Sequence, residues 1–464
     1  MEVQFQNFRC FKDTGRIPIR PITLLIGENS SGKSSFMAAL HHISTLHEGV
    51  NGLNREPFDM GMFNNILYKS TGQPSSRKIK YSFVTDEGSS LQWHFGNDAG
   101  ELQVKKLEII RNDGVSYFAT STPSKRVRVR YEIKRNKQTE GIFKSKDKSF
   151  TKDKFITIEN DIATVEYTVR PDKFLQDSER MQEYSKSLFP SFQMLLFGLS
   201  TSPEFGPRKS PENKRRSKSE SVIRFIPDLI SSFMGFENCL PTCQCAAPIR
   251  SYPQRFYSFI HSKKAEPDPQ GMNFAVQMYQ LGRQEPRRYE MVQEKLVEFG
   301  NKAGLFDGID HSSINDDLSQ LFEIQITTGE VKANIIDVGY GVSQVLPLLF
   351  SVLTLPANTM FLVQPPEVHL HPRAQAEFAT FISRAIEGNK KFLIETHSDY
   401  ILDRLTFEIK NGTISPKDVG LLFFEKRKNC VKIHSIHLNE HGIPVDAPKC
   451  YRAFFDAEYE KVWL

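Results

Sequence analysis

The residues of this chain best suited to chemistry are Gly27-Glu28-Asn29-Ser30-Ser31-Gly32-Lys33-Ser34, followed by Ser35. Glycines at this spacing let the backbone turn so that consecutive N–H groups face an oxyanion. The lysine adds a mobile positive charge, and the serine hydroxyl is a hard oxygen ligand. The fitting chemistry is nucleoside triphosphate binding, ATP or GTP. Gly27 to Ser35 would surround the phosphates, Lys33 would reach the β- and γ-phosphates, and Ser34 would hold Mg2+.

Three later segments could complete such a site. Asp337-Val338-Gly339-Tyr340-Gly341-Val342-Ser343-Gln344 opens a helical pattern, so Gly341, Ser343 and Gln344 are expected at a helix N-terminus, where backbone donors meet phosphate. The apolar run Thr359–Val363 then leads into Gln364-Pro365-Pro366-Glu367, the position where a Walker B strand ends in acids. Gln364 can ligate magnesium only through a neutral oxygen, and Pro365 can neither ligate nor act as a base. Either hydrolysis is slow or another carboxylate compensates, with Glu367 and Glu395 as the candidates. Glu395-Thr396-His397-Ser398 follows another apolar run, which puts His397 in reach of a terminal phosphate. His369 and His371 have no third ligand at metal spacing, so a turn before a helix suits them better than a metal site.

These residues need an α/β scaffold. The strand Ile22–Ile26 precedes the loop, and Phe36, Met37, Leu40 and His41 mark a helix after it. Strands are predicted at 79–84, 91–94, 101–110, 115–119, 126–133, 154–159 and 163–169, with Asn112-Asp113-Gly114 as a turn. Helices are predicted over 172–200, 221–237 and 287–300, a strand over 321–327, and closing strands over 420–425 and 430–437. Ahead of the loop, Arg9 and Phe11 are candidates to touch the base or ribose. Arg250 and Arg255, held between prolines, suit bidentate contacts to carboxylate or phosphate, or structural ion pairs.

The organisation expected is therefore three-part. Residues 1–170 form the N-terminal part of the nucleotide core with a β-rich flank. Residues 171–320 form a helical, partner-binding middle region, and 321–464 the C-terminal part of the core. A net charge of +5 over 464 residues permits an acidic partner without demanding one. Positive charge is concentrated at 125–154 and 208–218, where nucleic acid or an acidic protein could bind. No apolar run reaches membrane-spanning length and no leader pattern opens the chain, so a cytoplasmic protein without membrane contact is expected. The scattered cysteines fit reduced thiols better than zinc.

The ordered motifs GENSSGKS, DVGYGVSQ, PPEVHLHP and ETHSDY resemble the ABC-type ATPases of the AAA-15/AAA-21 group, related to OLD-family ATPases and more distantly to RecF, SMC and Rad50. The resemblance implies a P-loop core with an inserted β-rich flank and helical middle, ATP and Mg2+ as cofactors, and a homo-oligomer of two to six subunits. It also implies that Ser343 reaches a neighbour's γ-phosphate and that His397 is the switch histidine. The group shows two acids where Gln364-Pro365 stand, so slow hydrolysis is expected. No Toprim nuclease fits after Tyr400. Length, the lysine-rich hairpin and the missing nuclease resemble the AriA-type ATPase subunits of PARIS anti-phage systems. That likeness implies a separate Toprim nuclease effector subunit and an acidic phage trigger protein. The alternative is a RecF/SMC-like DNA-binding ATPase in repair or maintenance.

Overall fold

The computed structural model describes residues 1–47, 54–70, 73–74, 78–98, 101–121, 127–134, 156–159, 162–169, 240, 242–258, 265–313 and 321–451. Their contacts divide the chain into two compact units. One comprises Met1–Ile17, His42–Leu53 and Met60–Leu240, and the other Pro18–His41, Asn54–Asp59 and Pro241–Leu464.

The first unit is built on an antiparallel meander. Strands Ile79–Val84, Ser90–Asp98, Glu101–Ile110, Val115–Ser121, Val127–Lys134, Ile162–Val169 and Ile156–Glu159 pair in that spatial order, with Glu2–Phe8 and Phe11–Asp13 on the other side of Ile79–Val84. Two-residue alternation sets one face: Val3, Phe5, Tyr81, Phe83, Leu91, Trp93, Phe95, Leu107 and Ile109 are all buried. The predicted strands are thus found, with Gly114 at φ 89° in the turn between two of them. Phe8 and Phe11 are fully buried here. The expected base contact from Phe11 is therefore corrected, because a ring closed inside its own core cannot meet a nucleotide. The guanidinium of Arg9 lies 5.9 Å from the centroid of the Phe8 ring.

The second unit holds a parallel sheet. Its spatial order is Thr242–Ala246, Thr359–Val363, Lys391–Glu395, Ile22–Ile26 and Val419–Lys426, extended by the antiparallel strands Val431–Leu438 and Pro444–Val445. The strand cores are continuous apolar runs rather than alternations, as burial on both faces requires. Helices Phe274–Gln284, Pro286–Ala303, Tyr340–Thr354, Pro372–Ala385 and Asp399–Lys410 contribute to the same core. Local chemistry sets their ends. Pro286 and Pro372 open two helices, Gly304 closes one at φ 69°, and the Ser398 hydroxyl caps another by accepting from Ile401 N at 3.2 Å.

The expected helices over 172–200 and 221–237 and the basic segment 208–218 lie outside the described residues, as does most of 125–154. Thr242–Ala246 is a strand of the parallel sheet, and 242–258 and 265–313 fall in one unit with the phosphate loop and the C-terminal motifs.

Candidate functional site

Parallel strands place their carboxyl ends along one edge of the sheet, the edge where α/β proteins bind ligands. Register aligns Val363 with Ile394 and Glu395 with Leu25. Gln364, Glu395 and Gly27 therefore stand at neighbouring strand ends.

The loop after Ile26 carries three positive φ values, at Gly27 (146°), Ser30 (60°) and Gly32 (99°), which curl successive N–H groups into a nest. Gly27 has a second constraint, since a Cβ there would meet the Phe424 carbonyl oxygen at 2.7 Å. Glu28, Asn29, Ser30 and Ser34 are exposed and Ser35 is half-buried, whereas Ser31 is buried with an unpartnered Oγ. Lys33 is buried, and its Nζ donates to the carbonyls of Gly27 (2.8 Å) and Glu28 (2.9 Å). Burial lowers its pKa, and the charges of Glu395 and Glu367 oppose that shift.

Glu395 links two loop residues. One carboxylate oxygen accepts from Ser34 Oγ at 3.0 Å and the other lies 3.8 Å from Lys33 Nζ. Glu367 Oε1 accepts from His397 N at 2.6 Å, while its Oε2 is buried without a partner. Burial raises the Glu367 pKa above the usual carboxylate value, and the neighbouring Glu395 charge adds to this. The imidazole of His397, at the exposed turn after the strand, is pushed below its usual pKa by partial burial and by Lys33. It is therefore neutral at pH 7.

Gln364 sits buried at its strand end. Its backbone N donates to Ala246 O at 3.0 Å, and its side-chain Oε1 has no partner. Unpartnered buried oxygens are costly unless a ligand satisfies them. The oxygens of Ser34, Gln364, Glu395 and Glu367 are the hard donors that a magnesium ion takes. Mg–ATP therefore fits these residues: the loop N–H groups and Lys33 would hold phosphate, and Ser34, Gln364 and Glu395 the metal. The bound ion would neutralise phosphate charge. Among the described residues no cluster of three His, Cys, Asp or Glu side chains forms a protein-only metal site, His369 and His371 included.

The segment after Asp337 opens a helix, as expected, with Gly339 as its cap. Its helix starts at Tyr340 and is submerged from the first turn, because Val342 to Phe350 are all buried. Ser343 is 4% exposed and its hydroxyl donates to Tyr340 O at 2.9 Å; Gln344 is 3% exposed. Gly339 is the exposed residue at the tip, with Tyr340 and Gly341 partly exposed behind it.

Gly341 is required for close packing: a Cβ there would lie 2.6 Å from the His369 carbonyl oxygen, a backbone atom that cannot rotate away. Gly341→Ala is expected to cost roughly 1–3 kcal/mol, the usual penalty of overpacking. Thermal denaturation against the native chain checks this, with a lower Tm as the expected result. Beside it the His369 ring meets Tyr340 edge-on at 4.6 Å.

The two arginines divide. Arg255 forms a bidentate exposed pair with Asp337 (2.6 and 2.7 Å). Such pairs add little to stability, so Arg255→Ala should leave the Tm unchanged in thermal denaturation. Arg250 is buried instead, among the ends of the catalytic elements. Beside the phosphate loop a cavity of about 530 Å³ is lined by Gly27, Glu28, Asn29, His397, Phe423 and Tyr451, among others, a size within the usual range for ligand pockets.

Residues 1–222 match the family described as "AAA ATPase domain", and residues 258–403 the family described as "AAA domain, putative AbiEii toxin, Type IV TA system". Among solved structures, an SMC head bound to the C-terminal winged-helix domain of ScpA is 13% identical, with 95% of this chain and 98% of that chain covered at a TM-score of 0.42. A Pyrococcus furiosus SMC head with an extended coiled coil, bound to the C-terminal domain of ScpA, gives 11%, 99%, 98% and 0.39 for the same quantities. The Thermotoga maritima SMC head domain gives 11%, 96%, 98% and 0.36. TM-scores this low carry no functional assignment. Among curated proteins, Myocardin-related transcription factor B of Xenopus laevis is 29% identical over 171 residues, which cover 32% of this chain and span only 15% of that protein's length. The chain carries an AAA-type ATPase domain, an ATP-binding and ATP-hydrolysing module of mixed α/β fold. No described helix is long and apolar enough to cross a membrane.

Proposed function

We propose that this ATPase works as a slow, ATP-gated switch that scaffolds a larger complex, with binding of the nucleotide more important than its turnover. The observation that carries this reading is the strand end at Gln364. A neutral amide with an unpartnered oxygen stands where an acid would hold the metal, while Glu395 is bound to Ser34 and close to Lys33. Binding groups are thus plentiful, and among the described residues Glu367 alone has a buried carboxylate oxygen without a partner, which suits work on water.

In the finer form of this reading the switch belongs to a bacterial anti-phage complex. It would hold a separate Toprim nuclease and release it when an acidic phage protein binds. The motif resemblance and the toxin–antitoxin description of the family matched by 258–403 support this form. A DNA-binding ATPase of the RecF/SMC type is the second reading. Arg128 and Lys134, exposed on Val127–Lys134, and Arg130, exposed there in an ion pair with Glu132, suit DNA phosphates as well as an acidic protein. The deciding experiment is copurification from native cells, followed by sizing with and without ATP. A nuclease subunit retained in an ATP-dependent particle is the expected result. ATP-dependent DNA binding that falls steeply with salt, with no nuclease present, would establish the second reading. An ATP-insensitive monomer would overturn both.

A further inference from the structure

The segment that follows strand Thr242–Ala246 is fastened to the start of helix Tyr340–Thr354 by contacts running in both directions. Arg250 Nη1 donates to Gln344 O at 3.4 Å, and Gln344 Nε2 donates back to Ser251 O at 3.3 Å. Next to them the rings of Tyr252 and Tyr340 lie 5.3 Å apart. The second arm of Arg250 goes elsewhere: Nη2 donates to Gln364 O at 3.4 Å, at the end of strand Thr359–Val363. One planar guanidinium, 5% exposed, thereby spans the helix start and the strand end.

Burying a guanidinium for two long bonds to neutral carbonyls is unfavourable unless something uses it. Its Nε has no partner, and the acid whose charge favours it is Glu367. Burial lowers its pKa to about 10, so it stays charged at neutral pH. Glu367 in turn holds the backbone N–H of His397, and its charge acts on Lys33. Hydrogen bonds thus join Glu367 to His397 and Arg250 to both Gln364 and the helix whose tip at Gly339 is exposed, and the Glu367 charge acts across the gap on Arg250 and on Lys33 of the phosphate loop.

We infer that Arg250 is a positioning residue that clamps the first turn of helix Tyr340–Thr354 to the strand end at Gln364, so that a nucleotide in the phosphate loop sets the exposed tip at Gly339. A planar fork can hold two carbonyls on separate elements at once, whereas an ammonium is a single point charge. Lysine at 250 would keep the charge beside Glu367 and lose the bridge. The inference rests on the ATP reading of the phosphate loop.

Hydrogen–deuterium exchange with and without Mg–ATP tests it on the full chain. In the native protein, ATP is expected to protect 27–35 and 339–344 together. Arg250→Lys is expected to retain ATP binding and protection at 27–35 and to lose the ATP-dependent protection at 339–344. A purely structural arginine would instead lower protection everywhere, with or without ATP. The inference is overturned if Arg250→Lys keeps ATP-dependent protection at 339–344. It is equally overturned, whether or not the variant folds, if ATP protects 27–35 in the native chain and leaves 339–344 unchanged. Absence of protection at 27–35 itself would remove the nucleotide reading, and this inference with it.

Discussion

Lys33→Ala is expected to abolish ATP hydrolysis and to weaken ATP binding by about 10- to 100-fold, the 1.5–3 kcal/mol of a charge-assisted hydrogen bond. The lysine is already placed for the task. Its Nζ is held by the carbonyls of Gly27 and Glu28 at the mouth of the nest, with the Glu395 carboxylate 3.8 Å away. A buried ammonium whose charge is disfavoured by burial gains from a polyphosphate, because the ligand returns the negative field that water would have supplied. Alanine removes that charge from beside Glu395 and Glu367, so their negative field acts on the anionic ligand with one cation fewer. Titration of a fluorescent ATP analogue measures the affinity loss, and phosphate release measures turnover. Equal turnover in native and Lys33→Ala protein would refute hydrolysis at this loop.

Much of this site is legible in the sequence because its signals are local. The glycine spacing of the phosphate loop, the apolar runs before Gly27, Gln364 and Glu395, and the Asn112–Gly114 turn each depend on a few consecutive residues. The structure places them where such patterns predict. Two features were not local. The orientation of Ser343 depends on how deeply its helix sinks, which depends on packing against segments distant in the chain, among them Gly271 against Pro347 and His369 against Gly341. The grouping of 242–258 and 265–313 with the C-terminal motifs depends on Thr242–Ala246 choosing Thr359–Val363 as its parallel partner and on helices Phe274–Gln284 and Pro286–Ala303 joining the same core. Cys243-Gln244-Cys245 reads as a thiol pair in sequence and gives no sign of that choice. The bridging role of Arg250 is hidden for the same reason: both of its acceptors are backbone carbonyls, which leave no trace in residue identity.

Glu367→Gln is expected to lower ATP turnover by about 100-fold or more, within the usual range for loss of a positioned general base, while leaving ATP affinity nearly unchanged. The amide is isosteric and its oxygen can still accept from His397 N, so the backbone turn is kept. What is lost is the carboxylate oxygen that has no partner in the protein. Glu395→Gln should behave differently, weakening ATP binding as well, because that carboxylate orients Ser34 and neutralises Lys33. The pH dependence has a definite sign. Burial raises the folded-state pKa of Glu367, so the folded protein binds this proton more tightly than the unfolded chain does. Its ionisation therefore costs stability as pH rises from the ordinary carboxylate value through the raised one. Turnover, which needs the ionised form, should fall on acidification at a pH above that of an ordinary glutamate. A pH–rate profile of the native chain is expected to show this acid limb, and Glu367→Gln should lack it. If the variant keeps native turnover with the same limb, Glu367 is not the base, and Glu395 becomes the remaining carboxylate at the strand ends to test.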